Sequence, residues 1–223
     1  MKLQKIEKKV YALAENWIGK KHIPSIIRQL NKAFKPFIVC FSSERFDDDY
    51  YPDHNVIVNG HYCNRISDII PEHIYIQLNF PRDSKKAIIT EKGAKNLAVK
   101  IIRAIHHEYR HKHQQKQRPF LLQKPYDPKP KQNKMKAIYY GNPDELDAHA
   151  YETQAEKFDI NKLRSAHKIG WRECEAIFMY RKTFRIQDPK IWQKFLKKVY
   201  KNNESCAKSN QSSRTDCPNT KKG

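Results

Sequence analysis

IIRAIHHEYRHKHQQ, residues 101–115, is the stretch on which the reading of the whole chain turns. Ile101, Ile102 and Ile105, with Leu97 just upstream, recur at helical spacing, so a long helix is expected from about Thr90 to Gln115 with these residues as its buried stripe. Its second half holds His106, His107, His111 and His113. Among them His107-Glu108-Tyr109-Arg110-His111 reads H-E-x-x-H. Histidines four apart lie one above the other on a helix face, so both imidazoles can reach a single Zn²⁺. Glu108 projects beside that face, where it can take a proton from a water activated by the metal. The plainer reading of the same residues is a basic helix end in a histidine-rich chain. That reading suits His113, which adds positive charge where the helix dipole favours it, and His106, which is expected to support a ligand from behind or to lie on the surface.

Working outward, residues 3–19 carry Leu3, Ile6, Val10, Leu13, Ala14 and Trp17 at helical spacing and end at Gly19. A second helix is expected from Pro24 to Phe34. FIVCFS reads as a buried strand, NVIVNG as a second that ends in a turn, and HIYIQLNF (73–80) as the clearest, with Ile74, Ile76 and Leu78 on one face. The polar PRDSKK follows it. Beyond the long helix, the Lys- and Pro-rich stretch 116–138 is expected to be a basic loop. Asn142-Pro143 opens a helix to about Phe158, an Asn cap with Pro at the first helical position. Helices near 160–168, 171–184 and 189–201 complete the expectation of one α+β domain over 1–201. The stretch 202–223 has little to bury and is expected to be a disordered basic tail.

Zinc needs a third protein ligand. After the basic loop, Glu145-Leu146-Asp147-Ala148-His149 matches the E-x-x-A of a second helix, and with H-E-x-x-H the chain resembles the zincin metallopeptidases of the gluzincin branch. The resemblance runs from the strand at 73 to about Phe158. It implies a zincin-like α+β fold, a small sheet packed on the H-E-x-x-H helix with a helical part following. It also implies peptide hydrolysis, with Zn²⁺ on His107, His111 and Glu145 and Glu108 as general base. Where the family has Asp or Asn, this chain has His149, which then orients a ligand, while Ala148 allows close helix packing. His149, Tyr140 and Tyr151 are candidates for stabilising the oxyanion. In the family an edge strand beside the motif helix binds substrate backbone, a role that would fall to 73–80, which reads equally as a core strand. From the residues alone, Glu145 also suits a capping box with Asn142, and Asp147, His149 and Glu152 remain alternative ligands. The short, cysteine-poor, Asn- and Lys-rich build is similar to that of small metallopeptidases encoded by bacteriophages.

Charge sets the partners. Lys and Arg number 44 against 24 Asp and Glu, a formal +20, which attracts polyanions and acidic proteins. In 116–138, Phe120 and Tyr126 among the lysines can stack on bases; the other reading is a solvated loop. No apolar run approaches the roughly 20 residues of a membrane span, and the start lacks the pattern of a signal peptide. A cytoplasmic location is expected, the host cytoplasm or the virion if the chain is phage-encoded. The five cysteines include no CxxC pair, which argues for reduced thiols and against a cysteine zinc site. Two functions follow as expectations: a zinc peptidase directed to nucleic-acid-associated or acidic proteins, or a non-enzymatic basic protein that binds nucleic acid or belongs to a virion.

Overall fold

The computed structural model describes residues 3–21, 23–34, 39–46, 56–63, 72–81, 87–118, 126–156, 158–170 and 173–212. They form an α+β chain of helices and small sheets, as the order of elements implies. Where the sequence draws one domain, the chain divides into two compact units, Met1–Leu121 and Leu122–Gly223, and the division falls inside the basic stretch. No helix among the described residues is long and apolar enough to cross a membrane.

The first unit holds α1 (Leu3–Glu15), β1 (Gly19–Lys21), α2 (Ile23–Ala33), β2 (Val39–Phe46), β3 (Ile57–Cys63), β4 (His73–Pro81), β5 (Ala87–Ile89) and α3 (Glu91–Gln117). In α1, Ile6, Val10 and Ala14 recur every fourth residue and are buried, with Trp17 just beyond. The helix stops at Glu15, short of Gly19, because Gly19 adopts φ 95° and opens β1. That strand pairs antiparallel with β5, a ribbon too short to leave a pattern in the sequence.

The main sheet has the order β2-β4-β3, with β2 parallel and β3 antiparallel to β4. Ile74, Ile76 and Leu78 alternate onto one face and are fully buried. The placement of β4 corrects one expectation. It is the central strand, hydrogen-bonded on both sides, so it has no free edge for a substrate backbone. A strand's alternation records which face is buried and says nothing about whether it has one neighbour or two. A second correction concerns NVIVNG. The strand does not turn at Gly60 but continues to Cys63, because Gly60 is the point where β3 passes close under α3. The outer edge of β2 is closed by a side chain: the Asn31 amide donates to Phe41 O and accepts from Phe41 N, both at 2.9 Å.

α3 begins at a Thr90 cap, whose Oγ1 accepts from Gly93 N at 3.0 Å. It packs on β3, β4 and α1 through its buried residues, among them Leu97, Ala98, Ile101, Ile102 and Ile105. Each of the larger aliphatic side chains contributes roughly 1.5–3 kcal/mol on burial. The small sheet against the motif helix is therefore present.

The second unit is helical: α4 (Lys134–Gly141), α5 (Pro143–Glu152), a 3-10 helix (Ile160–Lys168), α6 (Glu175–Phe184) and α7 (Pro189–Ser212). Leu146, Ala150, Ile177, Tyr180, Phe184, Trp192, Phe195 and Val199 share its core. The Tyr180 and Phe195 rings stack with centroids 3.9 Å apart. Three expectations change here. The basic loop is shorter than 116–138, since α3 runs to Gln117 and α4 starts at Lys134. Helix α5 ends at Glu152, before Phe158. The last helix runs to Ser212, past the end expected at 201; 213–223 lies outside the described residues. Just past 201, Asn203 Nδ2 donates to Thr153 Oγ1 at 3.0 Å, and Gln154 Nε2 to Asn202 O at 2.7 Å.

Candidate metal centre

In the first unit the two motif histidines face each other on α3, with His107 Nε2 and His111 Nε2 at 3.0 Å. Two nitrogens bound to one tetrahedral zinc at about 2.05 Å would stand roughly 3.3 Å apart, so the pair already has the spacing of shared ligands. His111 Nδ1 lies 2.8 Å from Gln114 Oε1. An amide oxygen only accepts, so Nδ1 carries the proton, and in the neutral ring Nε2 keeps its lone pair. That is the tautomer a metal requires. Gln114 is buried and was not singled out in the sequence; its position three residues past His111, on the same helix face, was the available signal.

Glu108 is buried, and its carboxylate lies directly against Gly60 of β3. The other two histidines separate from the pair. His106 is buried, and its Nε2 meets Glu7 Oε1 of α1 at 2.8 Å, so it ties two helices together. His113 sits edge-on to Tyr109 at 4.9 Å. Desolvation, followed by the charges of Arg110, Lys116 and Lys112, lowers its pKa from the usual histidine value, although the side chain is exposed. Lys112 and Lys116 meet Glu72 Oε1 at 2.6 and 3.5 Å, and Tyr62 donates to Glu72 Oε2 at 3.0 Å.

In the second unit, α5 presents Glu145, His149 and Glu152 at i, i+4 and i+7, one face of the helix. Asp147 and Tyr151 fall outside that face. Asp147 is paired with Lys198 of α7, which removes it from the alternative ligands grouped around Glu145. The capping-box reading of Glu145 fails, because the Asn142 N–H is taken by Tyr139 O at 3.2 Å. The cap that Asn142 does make is its own Oδ1 accepting from Asp144 N at 2.9 Å.

His149 stands between two carboxylates, with Nδ1 3.2 Å from Glu152 Oε1 and Nε2 3.9 Å from Glu145 Oε2. Its ring is enclosed by Tyr139, Tyr140 and Tyr180, at centroid distances of 5.8, 5.1 and 5.8 Å. The Tyr139 hydroxyl hydrogen-bonds to Glu145, and desolvation of that end of an otherwise half-exposed side chain, together with the carboxylate, raises its pKa. Tyr139 thus meets Glu145 directly, where the sequence points to Tyr140. The latter serves as packing, with its ring on Tyr180 and its carbonyl accepting from Tyr180 Oη at 2.8 Å.

Histidine and glutamate donors that can hold a metal ion are thus present in both units: His107 and His111 in the first, Glu145, His149 and Glu152 in the second. Of the aromatic residues offered as base-stacking platforms, Tyr126 is packed edge-on to Phe184 at 5.5 Å in the helical core, and Phe120 lies outside the described residues. Lys129, Lys131, Lys134 and Lys136 are exposed. Comparison with protein-family models, curated proteins and solved structures finds no match to this chain.

Proposed function

We propose that the chain is a zinc-dependent peptidase in which His107, His111 and Glu145 hold the metal and Glu108 is the general base. The observation that carries the reading is the pair of Nε2 atoms at 3.0 Å, with the His111 tautomer set by Gln114 and a buried glutamate next in sequence to His107. Two imidazoles and a carboxylate are a donor set suited to zinc. Bound there, zinc supplies a Lewis acid for the scissile carbonyl and lowers the pKa of water to about 7.

The chain's own residues do the rest. Glu108 accepts the proton of the attacking water as the C–O bond forms, and returns it to the amine nitrogen as the C–N bond breaks. Tyr139 fixes one orientation of Glu145 through its hydroxyl. His149, with Nδ1 3.2 Å from Glu152 Oε1, is the candidate on the Glu145 face for meeting the oxyanion, which it does as the imidazolium, with Nε2–H donating. The exposed lysines of 129–136 and the net charge of +20 favour substrates that are acidic or bound to nucleic acid. The same lysines favour the second reading, a non-enzymatic polyanion-binding protein.

Elemental analysis and casein hydrolysis separate the two. The peptidase reading expects one zinc per chain, lost in His107→Ala and Glu145→Ala. It also expects activity abolished in Glu108→Gln with zinc retained. Metal-free protein from a chelator-free purification, or undiminished hydrolysis by Glu108→Gln, would overturn it.

A further inference from the structure

Gly60 lies in the middle of β3, flanked by Asn59 and His61, with Ile76 of β4 as its register partner. Glycine weakens a strand interior, so its presence there calls for a close approach by something else. What approaches is the general-base candidate. A Cβ on Gly60 would stand 2.7 Å from Glu108 Cγ, 2.7 Å from Oε1 and 3.1 Å from Cδ. Carbon atoms in contact settle at about 3.5–4.0 Å, so no residue with a side chain fits here while Glu108 keeps its place. The register explains why the contact is specific. Gly60 shares the sheet face of Ile76, which is fully buried and lies on the side where α3 packs. Both residues belong to the first unit, and the contact is made before any metal or substrate arrives.

The geometry points to Gly60 as a positioning residue for Glu108. The bare backbone of β3 forms the wall against which the carboxylate rests, and the missing Cβ sets how far the base stands from the His107–His111 pair. The role in catalysis rests on the peptidase reading; the steric coupling of the two residues does not. Displacing a reacting group by about 1 Å can cost on the order of 10²-fold in rate. A methyl group at position 60 would force Glu108 to shift, since the three atoms nearest to it all belong to that side chain.

The test is a double-mutant cycle read in two ways. In the metal-free protein, Gly60→Ala is expected to lower Tm in the wild-type background. In the Glu108→Ala background the same change is expected to be neutral or to raise Tm, because alanine is otherwise the better strand residue. Equal shifts in both backgrounds would overturn the inference, as would a double variant that fails to fold where Glu108→Ala alone folds. In the zinc-loaded protein, Gly60→Ala should lower kcat on casein peptides by about 10²-fold, with KM and zinc stoichiometry unchanged. A loss carried by KM, or by loss of zinc, would show a general structural effect and overturn the positioning role. If wild type hydrolyses nothing, the peptidase reading falls, and the Tm cycle still decides whether Gly60 holds Glu108.

Discussion

Tyr126 lies in a run of lysines and prolines, yet its ring packs against Phe184 and its hydroxyl donates to Asp188 Oδ2 at 2.8 Å. Gly141 makes this possible, since a Cβ there would stand 2.3 Å from the Tyr126 ring. Burial, and then the Asp188 carboxylate, push the phenol up to about 12 from an ordinary value of 10.0. The sign follows from proton counting. Above pH 10.0 the unfolded chain gives up this proton first, so the residue's contribution to stability is full below that pH and is lost as pH rises through about 12. Tyr62 is also raised to about 12, so difference absorbance of the phenolate should show Tyr126→Phe losing one of the tyrosines that titrate near 12 while Tyr62 stays, and the variant should lose less stability over that window. A titration of Tyr126 at the free-phenol value would contradict the packing. At this scale the legible residues were those whose geometry is local. His107, Glu108 and His111 follow from helix spacing alone. Gly60 and Tyr139 acquire their meaning from partners brought near by folding, and no local pattern marks them.

Among the elements, those with a full period of apolar residues were readable: α1, α2, α3 and β4 lie within a few residues of where spacing puts them. The misses share a cause. The β1–β5 ribbon and α4 are short, and Lys134-Met135-Lys136 leads α4 with exposed side chains, so periodicity has nothing to register. The central place of β4 is a property of the sheet and is absent from its own sequence. How β2 closes its edge was equally hidden. Asn31, one residue of α2, presents its amide as a surrogate strand to Phe41, a buried position. Replacing it with alanine leaves a backbone N–H and a C=O without that partner. Asn31→Ala is expected to cost about 1–3 kcal/mol, measured by urea unfolding of the full chain. A change within error would mean that the edge is satisfied in some other way.

At the scale of the molecule, a third ligand could be proposed from sequence only through a family resemblance, because no local spacing links Glu145 to the motif histidines and the two lie in different compact units. The charge, in contrast, was legible from composition, but its distribution was not. Part of it is spent within the fold: Lys112 and Lys116 on Glu72, Lys198 on Asp147, Lys95 on Glu91. Lys129, Lys131, Lys134 and Lys136 form a separate exposed group within eight positions of the chain, joined to the first turn of α4. If this group meets a phosphate backbone, each lysine in contact releases a counterion and contributes roughly 0.9 to the slope of log affinity against log salt on duplex DNA. Replacing all four with glutamine should then reduce that slope by about 3–4 and weaken binding alike on every sequence. With Tyr126 committed to the core, the protein should show little preference for single strands from base stacking on that ring. Fluorescence anisotropy on labelled duplex and single-stranded DNA across a salt series measures both. A slope unchanged by the four substitutions would place polyanion binding elsewhere on the surface.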